Sequence, residues 1–155
     1  MEFKTKNNKV IKIKFDFRTM FMINKQLATK NKDTGAGNND GVGTLFNNIL
    51  NHNEQGLIDL ITVAGKTSLG KALTEDDAIV AIEKWLEDND AEDTKELFEE
   101  IKEEMIESGF FKGKILKYIK GMQKALNYLT AKDDVDPIEV EAVKDMISEM
   151  QNALS

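Results

Sequence analysis

Periodicity is the feature that most restricts what this chain can become. Apolar residues alternate up to Phe17 and recur at helical spacing from there to Leu154. In the first stretch, EFKTK and K-V-I-K-I-K-F-D-F (Lys9 to Phe17) flank Asn7-Asn8, residues that tolerate the positive φ of a tight turn. The pattern predicts a β-hairpin with Ile11, Ile13, Phe15 and Phe17 on one face. Lys12, Lys14 and Asp16 lie on the other, where lysines also discourage edge pairing. Past Phe17 the spacing of Met20, Phe21, Asn24, Leu27 and Ala28 predicts a helix from Arg18 to about Asn31, with Phe17 on the same stripe.

Further helices come in order. Thr44 to about Asn51 carries Leu45, Phe46, Ile49 and Leu50. Glu54 to about Ala64 is apolar nearly all round, the composition of a central helix, and a short loop is expected around Lys66 to Gly70. Thr74 ahead of Glu75-Asp76-Asp77 is a helix start, with Ala78, Ile79, Ile82, Trp85 and Leu86 as the inward stripe. An acidic helix, about Glu92 to Ser108, turns Leu97, Phe98, Ile101 and Met105 inward and is expected to end on Gly109. A long amphipathic helix has Phe111, Ile115, Tyr118, Ile119, Met122, Leu126 and Leu129 on one side and a row of lysines on the other. Asp136-Pro137-Ile138-Glu139 opens a last helix, which buries Val143, Met146, Ile147, Met150 and Leu154. The expected fold class is mainly α with a small N-terminal β-hairpin (α+β), a compact multi-helix body.

The segment Thr34–Leu50, TGAGNNDGVGTLFNNIL, raises the question of a phosphate-binding loop. Such a loop follows a strand and closes on a Lys-Ser or Lys-Thr pair. Here a helix precedes it and no lysine lies between Asp33 and Leu50. A calcium loop fails as well. With Gly41 at the turn glycine, Ala36 and Asn47 occupy the positions that need carboxylates. The segment therefore reads as a flexible connector.

Composition narrows the function classes. A chain of 155 residues buries roughly 70% of its unfolded surface without help from metals or disulfides. It has no cysteine, which removes thiolate metal sites and cysteine nucleophiles and is compatible with a reducing cytosol. The net charge of −7 argues against nucleic acid as a general partner, and no apolar run approaches a membrane span. The single histidine, His52, sits at a helix end as a solvated imidazole with no nucleophile to activate. No catalytic residue, cofactor or metal site is expected. Charge is segregated: residues 1–32 are basic, Thr74 to Glu107 acidic, Phe110 to Lys132 basic without any acid, and the tail acidic. Either oppositely charged helices pack on one another, or the chain self-associates or docks on a charged partner.

The hairpin strand, FRTMFMINKQLATK, the glycine-rich connector, GLIDLITVAG, LTEDDAIVAIEKWLED and ELFEEIKEEMIESGFFKGKI occur in an order that resembles the tail assembly chaperones of long-tailed phages infecting Gram-positive bacteria. The resemblance spans about residues 9–130. Its most particular piece is Ser108-Gly109-Phe110-Phe111-Lys112. It implies a non-enzymatic protein of the host cytoplasm, absent from the finished virion, whose partners are the tape measure protein and the tail tube protein. Residues 1–132 are expected to form the hairpin and helical chaperone body, and 133–155 a hinge with a C-terminal helix able to fold back or to mediate a homo-oligomer. Helical, apolar clients call for an exposed apolar contact. The candidates are Phe110 and Phe111, since two adjacent rings do not both face one core easily, and Met146 and Met150, whose flexible thioethers suit adaptable surfaces. The alternative, that these are core or cap residues, stays open. The competing functions are an unrelated protein-binding adaptor or a small nucleotide-binding regulator using Gly35–Gly43.

Overall fold

In the computed structural model the backbone is described over residues 1–155 and every side chain except those at 67 and 68. The first two strands, β1 (Glu2–Lys4) and β2 (Val10–Lys12), pair antiparallel with Phe3 opposite Ile11. Asn8 takes the left-handed conformation the turn requires, φ 60°. The hairpin expectation holds, but the second strand is shorter than the alternation suggested. Ile11 and Ile13 are buried, whereas Phe17 has left the strand altogether. The reason is Asp16, whose carboxylate accepts the Thr19 N–H at 2.9 Å and starts helix α1 (Phe17–Gln26) at the next residue.

Helix α1 buries Thr19, Met20, Ile23 and Asn24. The inward stripe is therefore rotated by about one residue from the expected one, leaving Phe17 and Phe21 outside. The helix also ends at Gln26, five residues early. The chain between α1 and the next helix is no flexible connector. Residues 27–40 form a hydrogen-bonded loop in which Lys30 bridges Gly37 and the Asn38 N–H donates to the Thr29 carbonyl. The Asp40 carboxylate accepts from both the N–H and the hydroxyl of Thr29, at 2.7 and 2.5 Å. Of the four glycines in the run only Gly35, at φ 70°, serves this loop through a positive φ, and Asn39 also takes the left-handed conformation, φ 52°.

Gly41 and Gly43 belong to helix α2 (Gly41–Leu50), and they are glycine for close packing. A Cβ on Gly41 would lie 2.1 Å from the Ile23 carbonyl oxygen, and one on Gly43 2.1 Å from Tyr118 Cγ. Because Asp40 is engaged by Thr29, the free Val42 N–H at the start of α2 is served from outside, by buried Asn24 Oδ1 at 3.3 Å. That bond accounts for a polar residue in this interior.

Helix α3 (Glu54–Leu69) is central, as its composition predicts: Leu57, Leu60, Ile61 and Ala64 are all buried, and it packs on α1, α2, β2 and the helix that follows it. It runs through the expected loop to Leu69 and stops on Gly70 in the left-handed conformation. Helix α4 (Glu75–Asp88) opens on a complete capping box, with Thr74 and Asp77 each accepting the other's backbone N–H. Its hydrogen bonds to Thr74 hold the Asp77 carboxyl below the usual carboxylate range. Of the expected stripe, Ile79 is exposed and Ala81 takes its place. Helix α5 (Lys95–Glu107) buries all four residues expected of it.

Only Ser108 separates helix α6 (Gly109–Thr130) from α5, so Gly109 is the first residue of a helix and not the cap of the previous one. Ser108 serves both ends. Its N–H donates to Glu104 and its hydroxyl oxygen accepts from Phe111 N–H. Helix α7 (Pro137–Leu154) begins on Asp136 as expected and packs against α6 and α2, with Ile147 and Met150 in the core.

Candidate functional site

The α5–α6 junction and the entry to α1 meet face to face. The Ser108 hydroxyl donates to the Phe15 carbonyl at 2.7 Å, and the Phe15 and Phe111 rings meet edge to face at 5.1 Å beneath it. Each segment thus sends one ring inward and its neighbour outward. Phe111 is fully buried, while Phe110 is 52% exposed. In the same way half-buried Phe15 is followed, two residues on, by Phe17 at 58% exposure.

Phe17 holds the outer group together. Its ring lies 5.7 Å from that of Phe110 in an edge-to-face arrangement and 6.4 Å from that of Phe21, nearly parallel. Phe21 is also 52% exposed. A phenylalanine presents about 200 Å², so the three half-exposed rings offer roughly 300 Å² of contiguous apolar surface. That is the scale at which a surface patch on a monomer is commonly functional. The rings restrain one another through Phe17, which lowers the entropy lost on binding.

Of the four candidates read from the sequence, Phe110 is on the surface and in this cluster. Phe111 is core and supports it. Met150 is buried and Met146 half-buried on α7, which lies along the later part of α6, beside residues such as Ile119 and Gln123. They do not join Phe110. Phe17 and Phe21 were missed because both fit an inward stripe. The signal that would have found them is Asp16 three residues before Thr19: a cap there makes Phe17 the first helical residue, and Met20, Ile23, Asn24 and Leu27 then form a second stripe.

The remaining candidates assemble no chemistry. His52 is half-exposed but stacks on Phe98, centroids 4.9 Å apart and nearly parallel, with Glu99 at 3.9 Å. Glu99 is held below the usual carboxylate range by its hydrogen bond to Lys102. Burial, with the Asp40 charge adding to it, pushes the Tyr118 phenol up. Among the described residues no group of three or more His, Cys, Asp or Glu is placed to hold a metal ion. No helix among them is long and apolar enough to cross a membrane.

The fold is a helical body with an aromatic cluster at its surface and no assembled catalytic group among the described residues. The sequence model of the phage tail assembly chaperone protein family, TAC, matches residues 4–120, and the chain belongs to that family. The match agrees with the resemblance seen in the sequence and includes all three exposed rings, while α7 lies beyond it. No curated protein and no solved structure matches the chain.

Proposed function

We propose that the protein binds the tape measure protein during tail assembly, keeps it soluble, and assists its coating by tail tube subunits. It does this without catalysis, in the host cytoplasm, and is not retained in the virion. The family membership carries this reading. The aromatic cluster supports it, because a chaperone for a long helical client needs apolar surface that is accessible yet too small to drive its own aggregation. Among the residues considered from the sequence, Phe110 is the client contact, with Phe17 and Phe21 beside it.

Co-expression with the tape measure protein of the same phage tests the reading. The client is expected in the soluble fraction and on the chaperone after affinity capture. A tape measure protein equally insoluble with and without the chaperone would refute it. A capture that yields other proteins and never the tape measure would favour the adaptor.

A further inference from the structure

The chain is acidic overall, at −7, but the surroundings of the three exposed rings are not. At the start of α1, Lys14 and Arg18 flank Phe17, and Lys25 follows Phe21 by four residues, which puts it on the same helix face. On α6, Lys114 and Lys117 follow Phe110 by four and seven residues. Lys14, Arg18, Lys25 and Lys117 are exposed and Lys114 half-buried. Among the described residues, none of these five cations forms an ion pair. The acids nearest in sequence are Asp16, whose carboxylate is engaged as the α1 cap, and exposed Glu107 at the end of α5, and Asp40, held by Thr29, lines a pocket with Lys114 and Lys117. The segments that carry the aromatic cluster thus bring five cations without ion-pair partners against these few acids.

We propose that the Phe17–Phe21–Phe110 cluster is the docking surface for an amphipathic α-helix that carries acidic residues beside its apolar stripe. The proposal rests on the chaperone reading for the identity of that helix, a segment of the tape measure protein. The site offers rings projecting from two neighbouring helices, so recognition runs through side chains, as when a helix lies in a groove. Apolar residues of the client one helical turn apart would meet Phe21, Phe17 and Phe110. Its acids would meet Lys25, Arg18 and Lys114. The charges speed encounter and set orientation, while the rings supply most of the affinity. A client helix flanked by lysines would be repelled.

Two synthetic peptides with one leucine stripe, carrying glutamates or lysines at every other position, test the proposal on the full-length protein. The glutamate peptide is expected to bind, and the lysine peptide at least ten-fold more weakly. A Phe17→Ser/Phe110→Ser protein should lose at least ten-fold in affinity for the glutamate peptide with circular dichroism and melting unchanged. Lys25→Glu/Lys114→Glu should reverse the preference. Equal binding of the two peptides, or unchanged binding by the ring variant, overturns the proposal. Should the ring variant melt early, Phe21→Cys gives a unique labelling site in this cysteine-free chain. A polarity-sensitive dye there should shift to the blue on adding the glutamate peptide, and the absence of a shift is equally fatal. Co-expression separates the two readings. If the ring variant keeps the tape measure protein soluble as well as the wild type does, the docking surface is wrong and the chaperone reading stands. If the peptides behave as expected but the wild type never retains the tape measure protein, the docking surface stands and the client is another acidic helix.

Discussion

Adding one methyl group at Gly41 tests whether the glycine run is built for close packing or for flexibility. The new Cβ would sit 2.1 Å from the Ile23 carbonyl oxygen and 2.9 Å from that of Asn24. An unstrained carbon–oxygen contact is about 3.3 Å, so α1 and α2 must separate by roughly 1.2 Å where they meet. The obstacle is backbone and cannot rotate away, which places the cost near the top of the overpacking range, about 3 kcal/mol. Alanine returns up to about 1 kcal/mol through helix propensity. The net loss for Gly41→Ala is thus about 2 kcal/mol, which for a protein of this size lowers the melting temperature by about 4–8 °C. Gly113, in the exposed part of α6, has nothing within 4 Å of its Cβ position. Gly113→Ala should therefore raise the melting temperature by about 2–4 °C. Gly35, at φ 70° in open space, should lose about 1–2 kcal/mol on mutation to Ala through strain alone. Thermal melts followed by circular dichroism read all three. If Gly41→Ala melts at or above the wild type, the close approach of α1 and α2 is wrong.

Asn24→Ala leaves the Val42 N–H without its partner in a buried site and should cost about 1–3 kcal/mol by urea denaturation. Phe111→Ser should unfold or nearly unfold the body, since removing a buried ring costs about 3–5 kcal/mol, whereas Phe110→Ser should melt within a few degrees of the wild type. Thr74→Ala should cost about 1 kcal/mol through loss of the capping box. The folded Asp77 carboxyl titrates below its unfolded value. Its contribution is therefore complete at neutral pH and is lost as pH falls through the depressed value, so melts of wild type and Asp77→Asn should converge in acid. Truncation after Lys132 removes Ile147 and Met150 from the core and uncovers one side of α6. Light scattering should then show a change in mass or aggregation of a body that is still helical; an equally soluble fragment of unchanged oligomeric state would contradict this.

What the sequence determined by itself is what depends on residues within about one helical turn of each other. The Thr74 and Asp136 caps, the Asn8 turn and the inward face of α5 all formed as read, because a cap two or three residues from a free N–H, a left-handed turn residue and a 3.6-residue period need no help from the rest of the fold. The character of α3 was legible for a related reason: a helix apolar nearly all round has nowhere to go but the centre. Tertiary structure decided the rest. α1 has two plausible apolar stripes, and which turned inward depended on packing against α2 and α3, so Phe17 and Phe21 became surface. Gly41 and Gly43 look like loop glycines in sequence. They are packing glycines only because Ile23 and Tyr118, 18 and 75 residues away, press against them. Phe111 is buried on the same stripe as Ile115 and Ile119, as periodicity indicated, and only the tertiary fold brings its junction against Phe15, through the Ser108 hydroxyl 93 residues away. Helical spacing sets Phe21 beside Phe17 on α1, but only the packing of α6 on α1 brings Phe110 to them.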